Sequence, residues 1–185
     1  MGRILIAYAT DKGATRRLAD AIAEGARGAP GAAVTLDDVD ALSAADVLQA
    51  DGVLFGGPVH MGGMHWRAKR FIDRECGPLW KESDLSDRYC GVFATGGGYG
   101  GAGGGCDLAM LAMLSNFAQL GMVIVPLPRA TPGFADGGCH WGPYGRTNAP
   151  DGAPIPLSDG ALACARAYGR RFAELVAARR LRRAG

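Results

Sequence analysis

Residues Ile4-Leu5-Ile6-Ala7-Tyr8 form a short, unbroken apolar run, and the chain turns from it through Ala9-Thr10-Asp11-Lys12-Gly13-Ala14-Thr15 into an amphipathic stretch. In that stretch Leu18, Ile22 and the alanines 19, 21, 23 and 26 fall on one helical face, and Arg16, Arg17, Asp20 and Glu24 on the other. A continuous apolar run bounded by turn residues predicts a strand buried on both faces, as in a parallel sheet. The 3.6-residue period predicts a helix, ended by Gly28, Pro30 and Gly31. A buried strand feeding a helix through a short loop implies a right-handed βαβ unit, and this constrains the rest of the fold.

The same alternation continues along the chain. Strands are expected at 33–36, 51–58, 89–94 and 122–125, and helices at about 64–75, 107–120 and from Ser158 to the C-terminal end. One or two short helical turns are expected before residue 50. The stretch from Pro126 to Pro156 contains prolines 126, 128, 132, 143, 150 and 154 and little periodicity, and it reads as a long irregular segment. Five strands alternating with helices predict an α/β fold with a doubly wound parallel sheet in the order 2-1-3-4-5. At 185 residues the chain suits one domain, 1–185, with one well-buried core.

Composition narrows the function classes. Hydrophobic residues at 48% and charged residues at 21% exclude general disorder. The net charge of +2 has its excess in Arg179, Arg180, Arg182 and Arg183, read as a solvated helix end rather than a nucleic-acid surface. Cysteines 76, 90, 106, 139 and 164 are widely spaced and form no C-x-x-C pair, so neither a disulfide framework nor a metal site is expected. Without an export signal or a long apolar run, the expected address is the cytoplasm, with no membrane partner.

Ligands of doubly wound sheets lie beyond the carboxyl ends of the strands at the switch point. The loops after the first, third and fourth expected strands converge there, and all carry glycine, proline or hydroxyl residues. The first loop, Thr10, Asp11, Lys12, Gly13, Ala14 and Thr15, precedes a helix N-terminus, where unpaired N–H groups and the positive dipole end favour an anion. It lacks both G-x-x-x-x-G-K-[ST] and G-x-G-x-x-G, so a terminal monophosphate fits it better than a nucleoside triphosphate or a dinucleotide.

With these loops the chain resembles the flavodoxin superfamily, and within it the WrbA-like branch of FMN-dependent NAD(P)H:quinone oxidoreductases. The residues that carry the resemblance are the loop 10–15, Gly56-Gly57-Pro58-Val59-His60-Met61-Gly62-Gly63-Met64, Phe71-Ile72-Asp73 and Gly77-Pro78-Leu79-Trp80. Val92-Phe93-Ala94-Thr95-Gly96-Gly97-Gly98, Gly121-Met122-Val123-Ile124-Val125-Pro126 and Gly142-Pro143-Tyr144-Gly145 extend it over most of the chain. The resemblance implies a flavodoxin-like fold with FMN as cofactor: residues 10–15 on its phosphate, Pro58, Val59, His60, Met61 and Gly62 along the isoalloxazine, and Ala94, Thr95, Gly96, Gly97, Gly98 and Tyr99 at its pyrimidine edge. It also implies Trp80 and Tyr144 on the substrate side, Trp80 often reaching a neighbouring subunit's site, and a homodimer or homotetramer. Two positions depart from the family pattern: His60-Met61 stands where Arg-Phe is common, and Leu120 where a histidine is common.

The resemblance implies an enzyme in which NADH or NADPH passes hydride to flavin N5, leaves, and is replaced by a quinone or similar acceptor, in ping-pong order, with no side chain acting as nucleophile. Alternatives are a flavodoxin-like electron carrier, a flavin reductase serving a partner monooxygenase, and a regulatory module without flavin. Carriers commonly present an acidic docking face, and this chain is mildly basic, which favours the enzyme. His65 reads as structural. His140 in the long segment is a candidate lid residue, and His60 a candidate flavin or substrate contact.

Overall fold

The computed structural model describes residues 1–82, 84–98 and 103–184. Strand β1 (Gly2–Tyr8) lies at the centre of a mostly parallel sheet, between β2 (Ala32–Asp38) and β3 (Gly52–His60). On the far side of β3 runs β5 (Tyr89–Gly96), also parallel, while β4 (Gly63–Met64) folds back on the tip of β3 as an antiparallel hairpin. The first four places of the sheet thus follow the order expected from the sequence.

The fifth place differs from expectation. It is shared by two short strands: β6 (Val123–Ile124) pairs with the start of β5, at Tyr89 and Cys90, and β8 (Gly142–Arg146) pairs with its end, from Ala94 to Gly96. Between them the segment expected to be irregular forms helix α6 (Phe134–Gly137) and the two-residue β7 (Gly138–Cys139), which pairs antiparallel with β8. Sequence patterning missed β8 because Gly-Pro-Tyr-Gly-Arg has no apolar alternation. Close approach sets its place instead: a Cβ at Gly142 would collide with the Val92 carbonyl.

Alternating residues of the central strands feed cores on opposite faces, as the two-residue period of a strand requires. Leu5, Ala7, Val53, Phe55, Val92 and Ala94 pack on one face; Ile4, Ile6, Leu54 and Phe93 pack on the other. The first face is covered by α2 (Ala44–Gln49), α3 (Trp66–Phe71) and α5 (Cys106–Gln119), and the second by α1 (Ala14–Arg27) and α7 (Asp159–Ala184). The single helix expected at 64–75 is α3 followed by a π-helical turn, Ile72–Cys76, closed by the Gly77 N–H on the Ile72 carbonyl at 2.8 Å. A short α4 (Leu79–Glu82) follows. Ser158 caps α7 as its sequence position suggests, its Oγ accepting the Ala161 N–H at 3.1 Å.

Helices α1 and α7 cross closely because glycines stand at the contact. A Cβ at Gly25 would strike the Arg166 carbonyl, and one at Gly169 the Ile22 carbonyl. The crossing holds α1 against the sheet and so aims its N-terminus at the carboxyl ends of β1 and β3.

Candidate functional site

The loop between β1 and α1 is shaped by its own side chains. Thr10 Oγ1 accepts the Gly13 N–H at 3.0 Å, and Gly13 takes a left-handed φ of 85° at the helix N-cap, a conformation that costs glycine little. No side chain caps the helix, and its first turn, Ala-Thr-Arg-Arg, contains no carboxylate. Isolated helices are stabilised by acidic residues at this end. Here the first-turn amides, Arg16 and Arg17 leave the dipole's positive end uncompensated by the chain itself, which suits an external anion.

Two threonines tie this loop to the end of β5. Thr15 and Thr95 are both 1% exposed, and their hydroxyls hydrogen-bond at 2.7 Å. A second tie comes from α3. Arg67 donates from Nη1 to the Thr10 carbonyl at 3.0 Å and from Nε to Asp40 at 2.9 Å, and its Nη2 pairs with Asp38 and Asp40. The Arg67 guanidinium holds the Asp40 carboxyl below the usual carboxylate range.

These loops enclose a cavity of about 460 Å³, lined by Thr10, Asp11, Lys12, Ala14, Thr15, Pro58, Val59, His60, Thr95, Gly96 and Gly97, with Thr147, Asn148, Pro154 and Ile155 on the remaining side. The size suits a mononucleotide-scale ligand. Loops from separate strand ends are therefore brought together as the sequence suggested. Gly13 shapes the first loop without lining the cavity, and Ala94 is fully buried behind it. Met61 (φ 47°) and Gly62 (φ 76°) form the exposed tip of the β3–β4 hairpin, and Gly62 lies against Gly105 at the start of α5. Gly98 (φ 67°) packs under the Arg146 guanidinium, and Tyr99 lies outside the described residues.

The two substrate-side candidates are placed differently. Tyr144 is buried and supports the cavity from behind, donating its hydroxyl to the Gly96 carbonyl at 2.9 Å; burial pushes its phenol up to about 12. Trp80, on α4, is 63% exposed and does not line its own chain's cavity. His140 packs beside Trp141 with the rings tilted at 53° and does not line the cavity either.

Sequence reasoning missed the far wall. Thr147, Asn148, Pro154 and Ile155 belong to a loop closed on itself by Ala149 N–H to the Ala153 carbonyl at 2.8 Å, Ile155 N–H to the Thr147 carbonyl at 2.9 Å and Asn148 Nδ2 to the Gly152 carbonyl at 2.8 Å. The polar pair Thr147-Asn148 after Gly-Pro-Tyr-Gly is a weak signal for it. Also missed was a cluster at the cavity mouth: Asp11 Oδ2 lies 3.5 Å from His60 Nε2 and 3.1 Å from His65 Nε2, and the two imidazoles meet edge to face at 4.6 Å. His65 is fully buried and caps α3, its Nδ1 accepting the Arg67 N–H at 3.3 Å. That leaves its proton on Nε2, donated to Asp11. Burial pushes His65 below the ordinary histidine range, against the opposing pull of Asp11.

Thiol chemistry has no support among the cysteines. Cys76 is buried at the end of the π-helical turn, and burial pushes its thiol up to about 12. Cys139 is raised to about 12 by burial and by its contact with Asp107. At the C-terminal end, Arg179 packs over Tyr89 and pairs with Asp87, so this member of the basic tail is held against the protein. Among the described residues no helix is long and apolar enough to cross a membrane.

Comparison with known proteins agrees with this architecture. Residues 5–101, spanning β1 to the loop after β5, match the family model described as a flavodoxin domain. The chain belongs to the flavodoxin family. Within it, the chain is 41% identical over 120 residues to a flavodoxin of Aquifex aeolicus, a match covering 65% of this chain and 64% of that protein. It is 31% identical to an NAD(P)H dehydrogenase (quinone) of Geobacter sulfurreducens, over 94% of this chain and 97% of that one. The fold superposes on a WrbA-like flavodoxin structure from Agrobacterium tumefaciens with a TM-score of 0.73 at 25% identity, covering 96% of this chain and 99% of that one.

Proposed function

We propose that this member of the flavodoxin family holds FMN in the cavity at the switch point and uses it to pass two electrons from NADH or NADPH to a quinone or similar small acceptor. The observation that carries the reading is the α1 N-terminus, free of carboxylates in its first turn and opening on a cavity shared with the ends of β3 and β5. When bound, FMN would supply the hydride chemistry that links NADH or NADPH to the acceptor, the nicotinamide leaving before the acceptor enters.

The residues present fit that group. First-turn amides, Thr10, Lys12 and Thr15 would hold the phosphate, with Asp11, Gly13 and Ala14 completing the loop. Pro58, Val59 and His60 would lie along the ring, and Thr95, Gly96 and Gly97 would meet its pyrimidine edge through backbone groups. Such preorganised donors stabilise charge that accumulates on a ligand. Tyr144 fixes the Gly96 end of that loop. The exposed position of Trp80 suits a contribution to the site of a neighbouring copy in a homodimer or homotetramer. A cytoplasmic address accords with reduced nicotinamide as electron source.

The relation to the Aquifex flavodoxin favours a second reading, an electron carrier between larger partners. Steady-state oxidation of NADH and NADPH by FMN-loaded protein with benzoquinone separates them. The enzyme reading expects multiple turnovers and parallel double-reciprocal plots, whereas a carrier gives no benzoquinone-dependent turnover.

A further inference from the structure

The Asp11, His60 and His65 side chains are not among those proposed to bond the phosphate, yet they stand at the mouth of the cavity, and both Asp11 and His60 line it. Three such groups could suggest a divalent cation. The hydrogen bonds argue otherwise: a histidine that ligates through Nε2 donates from its other nitrogen, whereas His65 Nδ1 accepts the Arg67 N–H. His65 is then a fixed donor to Asp11, and its full burial gives it a single place. Asp11, held from one side by His65, presents the same oxygen, Oδ2, to His60 Nε2. The charged and titratable groups that meet His60 are Asp11 from the β1–α1 loop and His65 from the start of α3, and Lys12 lines the same cavity. Among the described residues no protein group bonds His60 Nδ1, and the side chain is 49% exposed.

We infer that His60 is the proton donor to the acceptor, and that Asp11 and His65 are positioning residues that keep its Nε2 protonated and its Nδ1–H free to transfer. The inference rests on the proposed function. A quinone that receives a hydride gains two electrons and one proton, while the hydride donor is oxidised by two electrons. The other quinone oxygen still needs a proton. The Nδ1–H bond of the His60 imidazolium breaks as that O–H bond forms, leaving neutral imidazole with its Nε2–H facing Asp11 Oδ2, 3.5 Å away. Water then reprotonates Nδ1. An aspartate holding one imidazole nitrogen while the other exchanges a proton is the arrangement of the serine-protease triad.

The test uses the FMN-loaded protein, reduced in advance and mixed in stopped flow with benzoquinone, which needs protons, or ferricyanide, which takes single electrons and needs none. Benzoquinone reduction by the wild type should slow as pH rises through the titration of one group. In His60→Gln that pH dependence should vanish, and benzoquinone reduction should fall about 100-fold more than ferricyanide reduction. As a readout independent of turnover, the ring 15N shifts of neutral His60 in the holoprotein should report the Nε2–H tautomer facing Asp11, and Asp11→Asn should mix in the Nδ1–H tautomer. Equal slowing with both acceptors, or a tautomer balance unchanged in Asp11→Asn, would overturn the relay while leaving the quinone reading intact. Wild-type protein that reduces ferricyanide but not benzoquinone would overturn both.

Discussion

The hydroxyl pair of Thr15 and Thr95 joins the start of α1 to the end of β5, the loops proposed to grip opposite ends of the ligand. Thr15→Val keeps the shape but leaves the Thr95 hydroxyl buried without its partner, a loss of about 1–3 kcal/mol. Urea denaturation should register that loss, fluorescence titration should show FMN affinity falling about tenfold, as 1.4 kcal/mol per decade requires, and Thr15→Ser should restore both. His65 carries a pH signature of its own. Because burial lowers its titration in the folded state, the unfolded chain binds the extra proton first as pH falls below about 6.5. The stability is complete above that pH and is lost as pH falls toward the folded-state value. The urea midpoint should therefore drop between pH 7 and pH 5, a window above the carboxylates, and His65→Asn should flatten the dependence.

At the scale of elements, Arg67 is the joint between α3, the β1–α1 loop and the end of β2. Replacing it with Met would release the Thr10 carbonyl, leave Asp38 without this cation and leave Asp40 with Arg70 alone, at a cost of about 1–3 kcal/mol. Because the damage falls on the loop proposed to hold the phosphate, the preference for FMN over riboflavin should fall more than riboflavin affinity itself, measurable by parallel titrations. The α1–α7 crossing is a second joint. Gly25→Ala or Gly169→Ala must separate the helices, and the expected cost of about 1–3 kcal/mol from overpacking can be read as a lowered Tm. How much of this was legible follows from how each element earns its place. The unit β1–loop–α1 was readable because its apolar run and helical period are local. The division of 64–75 into an α-helix and a π-helical turn was not, because apolar spacing does not report an i→i+5 bond. Strand β8 and the loop 147–155 are set by backbone contacts with distant residues, Val92 and Gly96 among them, and such contacts leave no periodic trace.

For the whole molecule, what the sequence could announce was the convergence of three strand-end loops, since a doubly wound sheet dictates where its carboxyl ends meet. The fourth wall and the Asp11–His60–His65 cluster depend on how a long insertion and a hairpin fold back over that end, which no single stretch encodes. The same geometry sets the central claim, that the cavity is an FMN site gripped at its phosphate by the start of α1. Titration of the purified chain with FMN and with riboflavin, followed by flavin fluorescence, tests this most directly. The account predicts one FMN bound per chain with strong quenching and affinity at least tenfold above that for riboflavin; no binding, or equal affinity for the two flavins, would contradict it.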